Sequence, residues 1–237
     1  MASLTIIMPA LNEEKNLKTS VNDLENYLKQ HALDYELLIF NDGSTDNTPA
    51  IADELADYNP KIKVIHNPMT LGLGYNYRKG VELATKEFII MIPADGENSL
   101  EGIVEHISTA DIIVPFVLNT ELRPRIRRII SRIFTFLVNV LSGLHLKYYN
   151  GTVLHKTQII KNLPNSIPDG FGYQAEILVN LIKKGFTYKQ VGVYLKKPSG
   201  SRSNAFKLKN FISVSRSLCR IFLLNFISKN GKETINS

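Results

Sequence analysis

Apolar runs and amphipathic stretches alternate along the first hundred residues. Residues 4–8 (LTIIM) form an apolar, β-branched run closed by Pro9, the pattern of a buried strand. Asn12 is placed to cap a helix over about residues 13–30, with Glu13 and Glu14 in its first turn, where acidic groups complement the helix dipole. Residues 35–40 predict a second strand, ended by Asn41-Asp42-Gly43-Ser44, and Thr45-Asp46-Asn47-Thr48-Pro49 opens a helix over 49–57. A third strand at 63–66, a third helix at 74–84 and a fourth strand at 88–92 follow. Strands alternating with helices predict βαβ units, hence an α/β fold on a mostly parallel sheet. Further strands are expected at 111–115 and 191–194.

Two segments break this rhythm. Residues 123–146 (RPRIRRIISRIFTFLVNVLSGLHL) run from clustered arginines into an apolar helix. Residues 206–229 predict another helix, with Lys209, Arg216 and Arg220 on one face and Phe211, Val214, Leu218 and Phe222 opposite. Neither offers the roughly 18 uninterrupted apolar residues of a membrane span. A basic amphipathic helix lies instead in a membrane interface or against its own domain. There is no repeat or long linker, so one compact domain is expected.

Charge sharpens the picture. The 237 residues carry a formal net charge of +6, but residues 1–121 hold 8 basic and 19 acidic side chains, and residues 122–237 hold 20 basic and 3 acidic. The basic half is expected to meet something anionic, such as lipid, a phosphorylated substrate or nucleic acid. Hydrophobic residues at 44% and charged residues at 21% exclude disorder and a multi-span membrane protein. The single cysteine, Cys219, excludes a disulfide framework and suits a reducing compartment. No signal peptide is read at the N-terminus, so the expected address is the cytoplasm.

Ligands of open parallel sheets bind at the carboxyl ends of the strands. That selects the loops 9–13, 41–46 and 93–97, each of which carries carboxylates. Acidic groups there hold a hard cation or accept hydrogen bonds from sugar and base donors. Taken alone, Asp42 and Asp46 also suit turn or cap positions and Glu13 a first-turn charge. The five histidines (31, 66, 106, 145 and 155) show no ligand spacing.

In their order, Met8-Pro9-Ala10-Leu11-Asn12-Glu13-Glu14, Asn41-Asp42-Gly43-Ser44-Thr45-Asp46-Asn47-Thr48 and Leu71-Gly72-Leu73-Gly74 with Arg78 and Gly80 resemble the family 2 glycosyltransferases. The likeness is to their dolichyl-phosphate mannosyltransferase-like branch. It continues through Ser131-Arg132, Tyr149-Asn150-Gly151, Gly172-Tyr173-Gln174-Ala175-Glu176 and Ser201-Arg202-Ser203. The resemblance implies a GT-A fold, a Rossmann-like α/β sandwich, over residues 1–205, with a nucleotide-sugar half (1–97) and an acceptor half (98–205). Residues 206–237 would form a basic amphipathic helix and tail.

The resemblance also implies an inverting transfer from a UDP- or GDP-sugar to polyprenyl phosphate, by an enzyme peripheral on the cytoplasmic face of an anionic membrane. Pro9, Ala10, Leu11 and Glu13 would line the nucleotide site, and Asp42 would accept a hydrogen bond from the base ring. Relatives carry Asp-x-Asp-x-Gln after the fourth strand, whereas this chain reads Pro93-Ala94-Asp95-Gly96-Glu97. Asp95 and Glu97 would hold Mg²⁺ or Mn²⁺. Asp95 and Glu176 are the implied catalytic residues, Glu176 as general base, with Asp169 in reserve. Arg128, Ser131, Arg132, Arg202 and Ser203 would hold the acceptor phosphate, within a basic stretch that includes Arg123, Arg125 and Arg127; Asn204 replaces a usual Lys. One rival reading is transfer to a glycan hydroxyl; another is an inactive sugar-nucleotide-binding module, which Pro93 makes thinkable. Nucleic acid is not an expected partner, because the basic segments are apolar helices without interleaved aromatics on an exposed sheet.

Overall fold

The computed structural model describes residues 2–163, 167–170, 172–196 and 214–223. Seven strands form one sheet: β1 (Ser3–Ala10), β2 (Asp34–Asp42), β3 (Ile62–Asn67), β4 (Phe88–Met91), β5 (Ile112–Val117), β6 (Leu154–Lys156) and β7 (Tyr188–Val193). Their order is β3-β2-β1-β4-β6-β5-β7, and β6 runs antiparallel to both of its neighbours while the other pairings are parallel. β1 therefore sits between β2 and β4, where the winding direction reverses.

Alternation along the strands sends side chains into two cores. Leu4, Ile6, Met8 and Ala10 of β1 join Leu37 and Ile39 of β2 and Phe88 and Ile90 of β4 on one face. There they meet α1 (Leu17–Gln30) through Leu17, Val21, Leu24 and Leu28, and α2 (Thr48–Tyr58) through Ala52. Ile7, Leu38, Phe40, Ile89 and Met91 face the other way. That side is covered by α3 (Leu73–Leu83), α4 (Arg125–Ser142), α5 (Thr157–Lys161), α6 (Tyr173–Lys183) and α7 (residues 214–223). With both faces covered, the central strands read as continuous apolar runs, as parallel sheets require.

The structure departs from expectation in four places. α1 begins at Leu17, because the side chain of Asn12 is spent on another loop, described below, and does not cap the helix. β7 starts three residues before the predicted run, since its opening Tyr188-Lys189-Gln190 lies at the sheet edge where polar residues are tolerated. β6 is too short to leave a periodic signal. In α7 the face toward the core is Ser217 and Ile221 with half-buried Val214 and Leu218, while Phe222 is exposed; Lys209 and Phe211 lie outside the described residues. His155 of β6 is a core residue: burial depresses its pKa to about 3, and it meets the Tyr77 hydroxyl at 3.1 Å.

Helix α3 lies against β1 at Gly80, where a Cβ would stand 2.4 Å from Ile7 Cδ1. Overpacking of this kind costs about 1–3 kcal/mol. Gly80→Ala should therefore lower stability by about that amount in urea denaturation, and Ile7→Val should recover part of the loss when the two are combined.

Candidate functional site

The loops leaving β1 and β2 are tied together by their own polar residues. Asn12, at φ 57°, accepts the Thr45 N–H at 2.8 Å and donates its own N–H to Ser44 Oγ at 3.0 Å. Glu13 N–H donates to Thr48 Oγ1 at 2.8 Å, Glu14 N–H to Asp46 Oδ2 at 3.2 Å, and Asn47 N–H to Glu14 Oε2 at 3.1 Å. The two segments singled out in the sequence thus form one reciprocal latch. Pro9 and Ala10 are the last, buried residues of β1, Leu11 is half-buried beyond them, and the Pro9 carbonyl accepts the Ala94 N–H at 3.1 Å.

Asp42 ends β2 and is 4% exposed. Its Oδ1 accepts Asn67 Nδ2 and the Leu71 N–H, both at 2.9 Å, and its Oδ2 accepts the Gly72 N–H at 3.0 Å. Asn67 also donates to Asn76 Oδ1 at 2.7 Å. The carboxylate therefore fastens the 67–72 loop at the carboxyl edge of the sheet. Gly43 permits this closeness: at φ 74° it lies so near that a Cβ would stand 2.6 Å from the Met69 carbonyl carbon. Asn67 and Asn76 escaped the sequence reading; a pair of asparagines inside an apolar pattern was their one signal.

Asp95 and Glu97 follow β4. The Glu97 N–H donates to Asp95 Oδ1 at 3.0 Å. Burial, with lesser repulsion from the Glu97 and Glu13 carboxylates, pushes Asp95 up to about 6, against that hydrogen bond and the nearby Arg127. Burial also raises Glu13, opposed by a hydrogen bond from Asn16 and helped by Asp46 and Glu97. Glu13, Asp95 and Glu97 thus feel one another's charge, a repulsion that a cation relieves. Among the described residues no three His, Cys, Asp or Glu side chains stand close enough to hold a metal by themselves. The pair Asp95 and Glu97 supplies hard oxygen donors that fit Mg²⁺ or Mn²⁺ only with further oxygens from a ligand or water.

Beside this acidic point lies a basic cavity of about 350 Å³. Arg123, Arg127, Arg128, Arg132 and Lys147 line it, with Ser131, Thr135 and Asn139, and among the described residues no carboxylate lies on its wall. Arg123 donates to the Tyr148 hydroxyl at 2.9 Å, and Lys147 stands over the Phe116 ring at 4.2 Å. Arg128, Ser131 and Arg132 are brought together here as the sequence suggested; Arg202 and Ser203 lie outside the described residues. Lys147 and Tyr148, from the loop before β6, were not foreseen. Arg127 also reaches out of the cavity, 3.7 Å from Glu97.

Helix α4 has three faces. Phe134, Val138 and Ser142 are buried, Arg128, Ser131, Arg132, Thr135 and Asn139 turn to the cavity, and Ile126, Ile129, Ile133, Phe136, Leu137 and Val140 are exposed. Phe136, 65% exposed, belongs both to the apolar stripe and to the cavity rim.

Glu176 sits elsewhere, in the first turn of α6 and 6% exposed. Burial raises its pKa, against a hydrogen bond with Ser217 and the charge of Arg220, whose guanidinium is 3.6 Å away; both partners belong to α7. α6 is fixed near the end of β4, where the Tyr173 hydroxyl meets Met91 Sδ at 3.2 Å. Asp169 is half-exposed and paired with Arg78 of α3 at 3.0 Å.

The profile of glycosyl transferase family 2 matches residues 5–181, most of the chain and all of this edge. The chain belongs to that family. It is similar to dolichyl-phosphate beta-glucosyltransferase ALG5C of Trichomonas vaginalis, 30% identical over 106 residues, which are 43% of this chain and 32% of that protein. To ALG5D of the same organism it is 27% identical over 161 residues, 60% of this chain and 49% of that protein. The chain thus spans about a third to a half of the length of these relatives. Its fold is that of glucosyl-3-phosphoglycerate synthase from Mycobacterium tuberculosis, solved with Mn²⁺, UDP-glucose and phosphoglyceric acid: TM-score 0.68 at 16% identity, over 94% of this chain and 79% of that one. The GT-A architecture expected from the motifs is therefore present.

The raised pKa of Asp95 has a measurable consequence. With an unfolded value near 3.9 and a folded value of about 6, folding takes up a proton between these pH values. The stability this gives is full below about pH 4 and lost as pH rises through about 6. Asp95→Asn should therefore exceed the wild type in chemical denaturation at pH 7.5 in EDTA, by roughly 2–3 kcal/mol, with the advantage gone at pH 4.

Proposed function

We propose that this chain transfers a sugar from a UDP- or GDP-sugar to polyprenyl phosphate at the cytoplasmic face of a membrane, inverting the anomeric centre. The observation that carries this reading is the cavity beside α4, with five cations and no carboxylate on its wall among the described residues, opening at Phe136 onto an exposed apolar stripe. A phosphate monoester with a hydrocarbon tail has the same two parts in the same order. Guanidinium groups bind phosphate bidentately and stay charged, which suits an anion that must be held and aligned. The relatives act, by name, on dolichyl phosphate, and the structural neighbour was solved with a phosphate-bearing acid. Cys219 is free and exposed, as suits a reducing compartment. No described helix is long and apolar enough to cross a membrane.

In this mechanism Pro9, Ala10, Leu11 and Glu13 border the nucleotide, and Asp42 meets the base through the lone pairs left by its three backbone and side-chain donors. Asp95 and Glu97 would hold Mg²⁺ or Mn²⁺, which when bound offsets charge on the departing nucleoside diphosphate. Arg128, Ser131 and Arg132, with Arg202 and Ser203, would hold the acceptor phosphate so that one of its oxygens faces the anomeric carbon. The bond from that oxygen to carbon forms as the bond from carbon to the diphosphate oxygen breaks. A phosphate oxygen is already ionised, so no strong base is required, and Glu176 serves to orient α6 and its neighbours. Transfer to a glycan hydroxyl stands second: it needs a general base, and Glu176 is buried beneath Arg220.

Incubation with a panel of nucleotide sugars, scoring diphosphate release with and without polyprenyl phosphate, tests the reaction; release that depends on a neutral glycan and ignores the phosphate would reverse the order of the two readings. Arg128→Gln and Arg132→Gln should each raise the acceptor KM about tenfold or more at unchanged donor affinity, since a charged hydrogen bond contributes about 1.5–3 kcal/mol. EDTA should stop transfer and Mn²⁺ restore it. Wild-type protein should sediment with anionic vesicles at low salt, and Ile133→Asp with Phe136→Asp should abolish that sedimentation while leaving soluble nucleotide binding intact.

A further inference from the structure

Of the five cations that line the cavity, Arg127 alone is paired with a carboxylate among the described residues, and that carboxylate is Glu97. The pair is largely shielded: the Glu97 side chain is 11% exposed and that of Arg127 30%. One long side chain in the first turn of α4 thus touches both the acidic point and the basic cavity. A carboxylate that enters the coordination shell of a hard dication has less to give a guanidinium, and the two cations repel each other at such a distance. An arginine released from Glu97 already stands on the cavity wall, among Arg123, Arg128, Arg132 and Lys147.

We propose that Arg127 is a positioning residue that couples the two sites: it neutralises Glu97 while the acidic loop is without a cation, and turns into the cavity to meet the acceptor phosphate once Glu97 is taken by a divalent ion. This rests on the reading of Asp95 and Glu97 as metal ligands and of the cavity as a phosphate site. It sets an order of assembly, in which metal and donor prepare the acceptor site. Linkage makes the effect reciprocal, so phosphate in the cavity tightens metal binding by the same factor that metal tightens phosphate.

The test uses the full chain and two binding measurements that need no turnover. Mn²⁺ affinity is read from the electron paramagnetic resonance of free Mn²⁺, with and without dimethylallyl monophosphate, and affinity for that phosphate is read by calorimetry with and without Mn²⁺. In the wild type each should tighten the other about fivefold or more. Arg127→Gln should bind Mn²⁺ more tightly than the wild type when phosphate is absent, because Glu97 has lost its competitor, and should bring the coupling factor close to one. Arg132→Gln removes the same charge from the same cavity; it should weaken phosphate binding yet keep Mn²⁺ affinity near wild type and the coupling intact. Arg127→Lys should fall between wild type and Arg127→Gln. Unchanged or weaker Mn²⁺ binding in Arg127→Gln, or coupling that survives that substitution, overturns the proposal while the metal and phosphate sites stand. Wild-type protein that binds no Mn²⁺ overturns it together with the metal reading on which it rests.

Discussion

Strand β1 is the constraint on which the site depends. It pairs along its whole length with β2 and along half of it with β4, and helices cover both of its faces. A polar group along such a strand needs a partner, as Thr5 finds in Glu36 of β2 at 2.7 Å, so the chain turns freely polar only where it leaves the sheet, after Ala10. There the winding reverses, with β2 on one side and β4 on the other. The crevice at this reversal gathers the loops that follow all three strands, and each brings its carboxylates. Glu13, Asp42 and Asp95 thus come at the carboxyl ends of neighbouring strands because of what burial demands within the sheet.

The second half of the chain answers this acidic edge with the opposite charge. α4 delivers its arginines to a cavity whose neighbour is the Glu97 loop, and the Arg127–Glu97 ion pair lies on the boundary between the two. Separation of this kind lets one edge crowd carboxylates while the other crowds guanidiniums, each at some cost to stability and each ready for a ligand of the other sign. The raised pKa of Asp95 is one measure of that cost.

The sequence was most legible where burial is two-sided. β1, β2 and β4 are apolar runs between turn residues, and their pattern alone located them within a few residues. Of the candidate site, the sequence pointed to Asp42, Asp95 and Glu97, which stand at or just beyond strand ends, and to Arg128, Ser131 and Arg132, which share one cavity wall along a helix. What stayed hidden depends on partners distant in the chain. Asn12 reads locally as a cap, and only the Thr45 amide 33 residues away reassigns it. Asn67 and Asn76 are polar residues whose justification is a carboxylate on another strand. The cover of Glu176 by Arg220 joins residues on two helices that no local pattern connects. β6 has three residues, fewer than any periodicity can mark.

Helix α4 spends its whole circumference on three different surroundings: core, cavity and an apolar exposed stripe. One residue inserted before its middle would turn everything beyond it by about 100°. Arg132 would then point along the apolar stripe, Ile133 into the core, and Phe134 toward the guanidiniums. Each face would inherit the wrong neighbour at once, and no single compensating substitution could restore them. Change in the length of this helix is therefore tolerable in steps near a whole turn, three or four residues, and its rotational phase is as much a part of the site as any side chain it carries.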